Sequence, residues 1–138
     1  MINDEQPTRV ASKIRRAVRD LSDPLIVVVG AAYKPNVSDV RESPATEIVE
    51  MLAIDGYRVQ QYDPRVKGLG YESLPCIAEG ADCLVILVEH DEVRADLAAN
   101  HGEIESAMRH PMILRFYVEE NRRMAEAAAG ERTLRSAS

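Results

Sequence analysis

Two short, unbroken apolar runs constrain this sequence more than any other feature. The first is Leu25–Val29, a β-branched run that ends at Gly30, and the second is Cys83–Val88. A continuous apolar run of this length is typical of a strand buried on both faces, as in a parallel sheet covered by helices. The runs are too short to cross a bilayer, so they predict a sheet core and not a membrane protein.

Predicted helices alternate with the predicted strands. Ser43-Pro44 is a signal for an N-cap and a first helical turn, and Asp55-Gly56 marks the end of the same helix. Further strands are predicted at Tyr57–Tyr62 and Pro111–Phe116, and further helices near Pro75–Glu79, at Asp91–Ala99 and at Tyr117–Ala129. This alternation predicts an α/β fold, a three-layer, Rossmann-like parallel sheet with helices on both faces.

An amino-terminal helix precedes the predicted sheet. Apolar residues recur at helical spacing from Thr8, and Ser22-Asp23-Pro24 stops the pattern, so the leading helix is predicted over 8–22. A chain of 138 residues is one domain by the usual allowance of roughly 100–200 residues each. We expect that domain over residues 8–130, with a flexible amino terminus over 1–7 and a flexible tail over 131–138.

The charge balance argues against nucleic acid as a partner. The chain has 17 basic and 23 acidic residues and a net charge of −6, whereas nucleic-acid binding usually needs a basic face. The cations of the amino-terminal helix suit an anion or partner surface, but a solvated helix face explains them more simply. No apolar signal segment follows Met1, so we expect a cytoplasmic protein. Cys76 and Cys83 match neither a redox pair nor a zinc site, and we expect both to be small buried hydrophobes.

The most informative stretch is the loop after the first strand. It contains neither the G-x-G-x-x-G fingerprint of a dinucleotide fold nor the G-x-x-x-x-G-K-[ST] motif of a P-loop. It does place Tyr33, Lys34 and Arg41 shortly before a helix amino terminus, where a phosphorylated ligand would find suitable donors. The residues alone support equally well a structural loop, in which Arg41 pairs with Asp39 or Glu42.

Other polar residues carry weaker signals. Asp63 ends the second strand, where dinucleotide folds place a ribose-binding acid, but without the glycine fingerprint a turn at Asp63-Pro64 is favoured. His90, Asp91 and Glu92 are adjacent, so their side chains diverge and do not predict a metal site. We interpret Asp91 as the N-cap of the following helix. No G-x-S-x-G elbow is present, so hydrolase chemistry has no support.

A longer motif carries a family resemblance. Residues 28–45 read Val-Val-Gly-Ala-Ala-Tyr-Lys-Pro-Asn-Val-Ser-Asp-Val-Arg-Glu-Ser-Pro-Ala. This segment closely resembles the start of the carboxyl-terminal, UDP-binding domain of the UDP-sugar dehydrogenases, a family that includes UDP-glucose, UDP-N-acetylmannosamine and GDP-mannose dehydrogenases. The Tyr-Lys-Pro-Asn-Val form is most similar to the UDP-N-acetylmannosamine branch. The resemblance covers roughly Leu25 to Val93.

The resemblance implies an activity and a site. Family members use NAD to oxidise the C6 alcohol of the sugar to a carboxylate in two hydride-transfer steps, through a thiol adduct on a catalytic cysteine. The NAD is held mainly by a domain that this chain does not resemble, and no catalytic residue is implied here. The resemblance implies that Tyr33 and Lys34 contact the UDP-sugar and that Arg41 reaches the NAD. A further nucleotide contact after the fourth strand is left open between Arg115 and Arg122.

Three functional hypotheses follow. The first is a UDP-sugar-binding domain that is not catalytic alone and needs the NAD-binding and central domains, or a partner chain that supplies them. The second is an interaction module that docks on a catalytic dehydrogenase chain through its leading helix. Burial of that helix's apolar stripe (Val10, Ile14, Val18 and Leu21) against the chain's own sheet would weaken it. The third, a small enzyme or signalling receiver, lacks the acidic residues after the first strand that a receiver needs. A homodimer is left open.

Overall fold

A four-stranded parallel sheet forms the centre of the molecule. The computed structural model describes residues 6–32, 34–41, 43–69 and 73–116. Within them the strands pair in the order β2-β1-β3-β4, and every pairing is parallel. The strands are β1 (Leu25–Val29), β2 (Arg58–Tyr62), β3 (Cys83–Ile86) and β4 (Ile113–Arg115). The predicted α/β fold with a parallel sheet is confirmed.

Helices cover both faces of this sheet. Ile26 and Val28 of β1 belong to one apolar cluster, whereas Val27 and Val29 belong to a second cluster on the opposite face. The split follows from the alternation of side chains along a strand. The first face is covered by α1 (Pro7–Val18) and α2 (Pro44–Ile54), and the second by α3 (Leu74–Ile77), α4 (Asp91–Ala99) and α5 (His101–Ala107).

The leading helix is part of the core. Val10, Ile14 and Val18 are buried in the same cluster as the apolar residues of α2 and of β1. The helix ends at Val18 and not at residue 22, because the chain turns there and the Leu21 N–H donates to the Val18 carbonyl. Leu21 is half-buried and packs against the same cluster. The apolar stripe of α1 is therefore covered within this chain.

The other helices agree with the sequence to different degrees. α4 coincides with its prediction, but the sequence does not predict α5, which follows α4 after Asn100 alone. The buried residues of that segment are Ile104 and Met108, and two apolar positions are too few to define a helical period. The helix predicted at 117–129 and the tail at 131–138 lie outside the described residues, so the domain boundaries stay predictions. Among the helices that the structure describes, none is long and apolar enough to cross a membrane.

The two cysteines have different environments. Cys83 lies in β3 and is buried, as predicted, whereas Cys76 lies in α3 and is exposed. The prediction for Cys76 is wrong because α3 is a single short turn of helix that buries Leu74 and Ile77. Cys76, which lies between these two buried residues, faces solvent.

Candidate functional site

The strand order creates a switch point between β1 and β3. The chain passes from β1 to β2 on one side of the sheet and returns to β3 on the other side. In α/β sheets of this kind, ligands bind in the crevice outside the carboxyl ends of the strands at such a point. Here the segments after β1, β2 and β3 are joined by hydrogen bonds through two buried side chains, Asp63 and His90.

Asp63 is the acceptor at the centre of this network. Its Oδ2 accepts from the backbone N–H groups of Ala31 and Ala32 at 2.8 and 3.0 Å. Its Oδ1 accepts from the backbone N–H of Arg65 at 2.9 Å and from Nε2 of His90 at 2.8 Å. The bond from Arg65 makes the turn that the sequence favours. The bonds to Ala31 and Ala32 hold the loop after β1, and the Asp63 side chain is fully buried.

The charge of Asp63 is maintained by these donors. Burial raises the pKa of the carboxyl group, but the hydrogen bonds from His90 and from the three backbone amides outweigh it. The pKa of Asp63 therefore lies below its ordinary value. A buried carboxylate with several donors is a stable anion at neutral pH.

His90 links Asp63 to the far part of the loop after β1. The backbone N–H of Asn36 donates to Nδ1 of His90 at 2.7 Å, while Nε2 lies 2.8 Å from Asp63. An amide nitrogen always donates, so Nδ1 has to be the unprotonated nitrogen and Nε2 has to carry the proton. This assigns the tautomer from the hydrogen-bond network. The imidazole is fully buried, and each ring nitrogen has one partner.

Asn36 connects the same loop to α4 and to the segment after β2. It has a φ of +67°, a left-handed conformation that asparagine tolerates better than most residues. Its Oδ1 accepts from the backbone N–H of Asp91 at 2.9 Å, and its carbonyl accepts from Nη1 of Arg65 at 3.0 Å. The Nε of Arg65 also donates to the Glu92 carboxylate at 3.0 Å.

These contacts correct the interpretation of Asp91. The N-cap position of α4 is His90, and Asp91 is the first residue of the helix. The side chain of Asn36, which lies 55 positions earlier in the chain, satisfies the Asp91 N–H instead. His90 is buried while Asp91 and Glu92 are exposed, so these adjacent side chains do diverge. In the described part of the chain no group of three potential ligands is placed to hold a metal ion.

Lys34 lies between the two anchored ends of the loop. Ala31 and Ala32 on one side are held by Asp63, and Asn36 on the other side is held by His90. Lys34 is half-buried. Tyr33, its predicted companion in substrate binding, lies outside the described residues. The structure therefore fixes the backbone on both sides of this pair of residues.

The amino terminus of α2 is already satisfied within the chain. The Ser43 hydroxyl accepts from the Ala45 N–H at 3.2 Å, as an N-cap does, and donates to the Ala32 carbonyl at 3.3 Å. The amides of Ala31 and Ala32 both donate to Asp63. In a dinucleotide fold, the amides at this position would instead donate to a pyrophosphate. This turn does not fit the pyrophosphate of NAD, in agreement with the absent glycine fingerprint.

Arg41 forms the pair that the structural alternative anticipates. Its Nε and Nη2 donate to the two Asp39 oxygens at 3.1 and 2.8 Å, and its backbone N–H donates to Asp39 Oδ1 at 2.9 Å. The side-chain and backbone hydrogen bonds from Arg41 lower the pKa of Asp39 to about 2. The Arg41 side chain is 86% exposed, so the pair lies at the surface. An anion that binds Arg41 has to compete with this carboxylate.

Arg115 lines an open cavity of about 350 Å³ together with residues of α4. The cavity also contains Glu89, whose carboxylate lies 3.8 Å from Arg115 Nε and 3.7 Å from Arg94 Nε. Arg122, the other arginine left open by the sequence, is outside the described residues. The choice between the two arginines therefore stays open.

Sequence reasoning missed the role of Asp63 and His90 in organising the loop. The sequence predicts only a turn at Asp63, and it gives His90 no role beyond that of a rejected metal ligand. The sequence does contain a signal, because Asp63 directly follows one predicted strand and His90 follows another after a single intervening residue. The carboxyl ends of such strands meet at one edge of the sheet. The sequence does not show which group bonds to each ring nitrogen of His90, because those contacts depend on strand register.

The fold and the loop after β1, which Asp63 and His90 hold at residues 31–36, together indicate a class of ligand-binding domain. A Rossmann-like parallel sheet with a polar, pre-organised loop at its switch point is the usual arrangement of a domain that binds a nucleotide or a similar ligand. The family model described as "UDP-glucose/GDP-mannose dehydrogenase family, UDP binding domain" matches residues 27–117. The chain belongs to this family, as the sequence resemblance predicts.

Curated relatives agree with the family. The chain is 36% identical over 116 residues to the UDP-N-acetyl-D-mannosamine dehydrogenase of Methanocaldococcus jannaschii, a match that covers 82% of this chain and 27% of the relative. It is 32% identical over 127 residues to the UDP-glucose 6-dehydrogenase of Rhizobium meliloti, covering 82% of this chain and 28% of that protein. The chain thus spans about a quarter of the length of the curated relatives it matches.

A solved structure gives the same result for the fold. The UDP-N-acetyl-D-mannosamine dehydrogenase of Pyrococcus horikoshii superimposes with a TM-score of 0.69 at 34% identity, over 80% of this chain and 26% of that chain. The corresponding enzyme of Staphylococcus aureus superimposes with a TM-score of 0.67 at 24% identity, over 86% of this chain and 31% of that one, and supports the fold alone.

Proposed function

We propose that this chain binds the UDP part of a UDP-sugar and serves as the nucleotide-binding part of an NAD-dependent UDP-sugar 6-dehydrogenase. The observation that carries the proposal is the family match over residues 27–117, which includes the whole loop after β1. Hydrogen bonds to Asp63 and His90 support it, because they fix the backbone on both sides of Lys34 at the switch point. A loop ordered before binding loses less conformational entropy when the ligand arrives.

Within this proposal, the loop residues have separate roles. Lys34 supplies a positive charge to the diphosphate, and Tyr33 contacts the same ligand. Arg41 reaches the NAD that another domain holds, and it does so by exchanging the Asp39 carboxylate for a phosphate or hydroxyl of the cofactor. The turn at Ala31 and Ala32 does not hold the NAD, since Asp63 already accepts from both amides.

The oxidation itself needs groups that we do not assign to this chain. In the complete enzyme, bound NAD would supply the acceptor for the hydride. The proposed thiol adduct needs a reactive thiolate, and burial raises the pKa of Cys83 to about 12, which makes it a poor nucleophile. The relatives are about four times as long as the matched segment, so the remaining parts, or a partner chain, supply the NAD site and the cysteine. A cytoplasmic location stays a prediction, and the question of a homodimer stays open.

The interaction-module hypothesis receives less support. It requires an exposed apolar stripe on α1 for docking on a catalytic chain. Val10, Ile14 and Val18 are instead buried in the core that α1 shares with α2 and the sheet. The leading helix therefore has its apolar face covered before any partner arrives.

The affinity of the isolated chain for UDP can be bounded. Charge-assisted hydrogen bonds from Lys34 and one arginine contribute roughly 3–6 kcal/mol together. Stacking of the base on Tyr33 adds about 1–3 kcal/mol if the geometry is right. Association costs an estimated 4–15 kcal/mol, which leaves at most about 5 kcal/mol, so we expect a dissociation constant no tighter than about 0.2 mM.

The test is an NMR titration of the ¹⁵N-labelled chain with UDP, with GDP, AMP and NAD as comparison ligands. We expect amide shifts for UDP that are centred on residues 31–36, and a loss of these shifts in Lys34→Ala. Lys67→Ala is the matched control, because it removes the same charge from an exposed position between β2 and α3. Equal shifts with all four ligands, or equal responses of the two lysine variants, would contradict the proposal.

A further inference from the structure

One buried pair of side chains makes the hydrogen bonds that hold the backbone on both sides of Lys34; we call these two sets of bonds the near and far anchors. The near anchor consists of the Ala31 and Ala32 amides bonded to Asp63, and the far anchor is the Asn36 amide bonded to His90. Asp63 and His90 are bonded to each other at 2.8 Å. A single buried pair, supplied by the segments after β2 and β3, therefore holds both ends of the segment that contains Lys34.

His90 connects a buried carboxylate to the backbone amide of an exposed loop residue. The side chains of His90 and Asp63 are both fully buried. If the imidazole is removed, the Asn36 amide and one lone pair of Asp63 lose their partners inside the protein. Because Asn36 itself is exposed, its amide can then turn to solvent, and the loop is no longer held in one position. The far anchor thus depends on one acceptor atom, Nδ1 of His90.

We propose that His90 is a positioning residue for nucleotide binding, and that its unprotonated Nδ1 holds the Asn36 end of the loop in the conformation that binds UDP. The proposal rests on the proposed function of the same loop. It assigns no contact between His90 and the ligand. If the loop without this anchor occupies the binding conformation for about one tenth of the time, the apparent affinity for UDP falls about tenfold.

Two substitutions separate the two bonds of the imidazole. In His90→Asn, the side-chain amide stands near the place of Nδ1 and can still accept from Asn36, but it does not reach Asp63. In His90→Gln, the longer side chain can still donate to Asp63, but it offers no acceptor near Nδ1. Both variants lose one hydrogen bond and some packing, so we expect similar losses of stability. Only His90→Gln is expected to lower UDP affinity by about tenfold.

A second histidine–aspartate pair provides the matched control. His110 Nδ1 lies 2.7 Å from Asp82 Oδ1 at the opposite, amino-terminal edge of the sheet. His110→Gln makes the same substitution and removes one hydrogen bond of the imidazole Nδ1, here with a carboxylate, without touching the loop after β1. We expect this variant to bind UDP as the unmodified chain does.

The experiment measures three quantities for each variant. They are the UDP-dependent amide shifts, the hydrogen exchange of the Asn36 amide, and the midpoint of urea unfolding. The expected result is faster Asn36 exchange and weaker UDP binding in His90→Gln, with His90→Asn closer to the unmodified chain. The ¹⁵N spectrum of the His90 ring should report a proton on Nε2.

The outcomes distinguish the two proposals. If the unmodified chain binds no UDP, the proposed function fails and the role of His90 in nucleotide binding fails with it. If the unmodified chain binds UDP and His90→Gln binds it equally well, the positioning role alone is wrong. If UDP binding falls in both His90 variants in proportion to their loss of stability, His90 is structural and the positioning role is again wrong.

Discussion

Gly30 and Val88 are in direct backbone contact where β1 and β3 end. A Cβ atom on Gly30 would lie 2.7 Å from the Val88 amide nitrogen and 2.8 Å from the Val88 Cβ. Gly30 also has a φ of +127°, a conformation that side chains rarely allow. This residue therefore lets the chain enter the candidate site while the neighbouring strand lies against it. Its function is close packing and not the cradling of a pyrophosphate.

Replacement of Gly30 by alanine should destabilise the protein strongly. Backbone strain and steric overlap each cost about 1–3 kcal/mol, so we expect the free energy of unfolding to fall by about 2–6 kcal/mol. Urea unfolding followed by circular dichroism measures the change. Gly80→Ala is the control, because Gly80 also has a positive φ, of +77°, but no atom within 4 Å of an added Cβ. A loss in Gly30→Ala no larger than in Gly80→Ala would contradict the packing argument.

The elements that the sequence predicts well are those with local signals. β1 is recovered without error because a β-branched run defines both its ends, and α2 is recovered because Ser43-Pro44 and Asp55-Gly56 mark its start and stop. β3 is predicted two residues too long, since Leu87 and Val88 are as buried as the strand but lie past its pairing with β1. An apolar run in the sequence indicates burial, but it does not indicate where strand pairing ends.

The candidate site is less predictable because its contacts connect distant parts of the chain. The loop motif itself points to this place, and the strand order puts it at the switch point. No local pattern, however, indicates that Asn36 satisfies the Asp91 amide or that His90 accepts from Asn36. Such bonds depend on the register of three strands and on a left-handed residue in the loop. They become visible only after the fold is assembled.

A second buried carboxylate, that of Asp82, connects groups at the opposite, amino-terminal edge of the sheet. Asp82 accepts from the Leu25 N–H at 2.8 Å, from Arg109 Nε at 2.9 Å and from His110 Nδ1 at 2.7 Å. Asp82→Ala leaves the Leu25 amide without its partner, whereas the half-exposed Arg109 and His110 can turn to solvent, so the free energy of unfolding should fall by about 1–3 kcal/mol. Asp82→Asn keeps an acceptor for Leu25 and should lose less. Equal losses in urea unfolding would mean that the charge of Asp82, and not the bond to Leu25, stabilises this edge.

Stability should decrease at acidic pH through Asp63 and Asp82. Burial opposes ionisation of each group, but hydrogen bonds to the carboxylates prevail, so both pKa values lie below their ordinary value. The unfolded chain, with carboxyl pKa values near 3.9, then binds more protons than the folded chain at low pH. Stability from these groups is complete well above about pH 4 and is lost as the pH falls through the folded pKa values.

The measurement for this pH effect is urea unfolding at a series of pH values between neutral and about pH 3. We expect the free energy of unfolding to fall with pH, and Asp82→Asn to reduce the slope because one titrating group is gone. Asp39, with its pKa lowered to about 2, should contribute little because its pair with Arg41 is exposed to solvent. Asp39→Asn is therefore the control. A slope as steep in Asp82→Asn as in the unmodified chain would contradict the assignment.

The two thiols should differ sharply in reactivity. Cys76 is exposed, whereas Cys83 is buried in β3 and its pKa is raised to about 12 by burial and by the nearby charge of Asp82. Only a thiolate reacts quickly with a disulfide reagent, so native protein should release one equivalent of chromophore from such a reagent at once. The second equivalent should appear only after unfolding in urea. Cys76→Ser should therefore release none in its native state, and a rapid reaction in that variant would mean that β3 opens readily at Cys83.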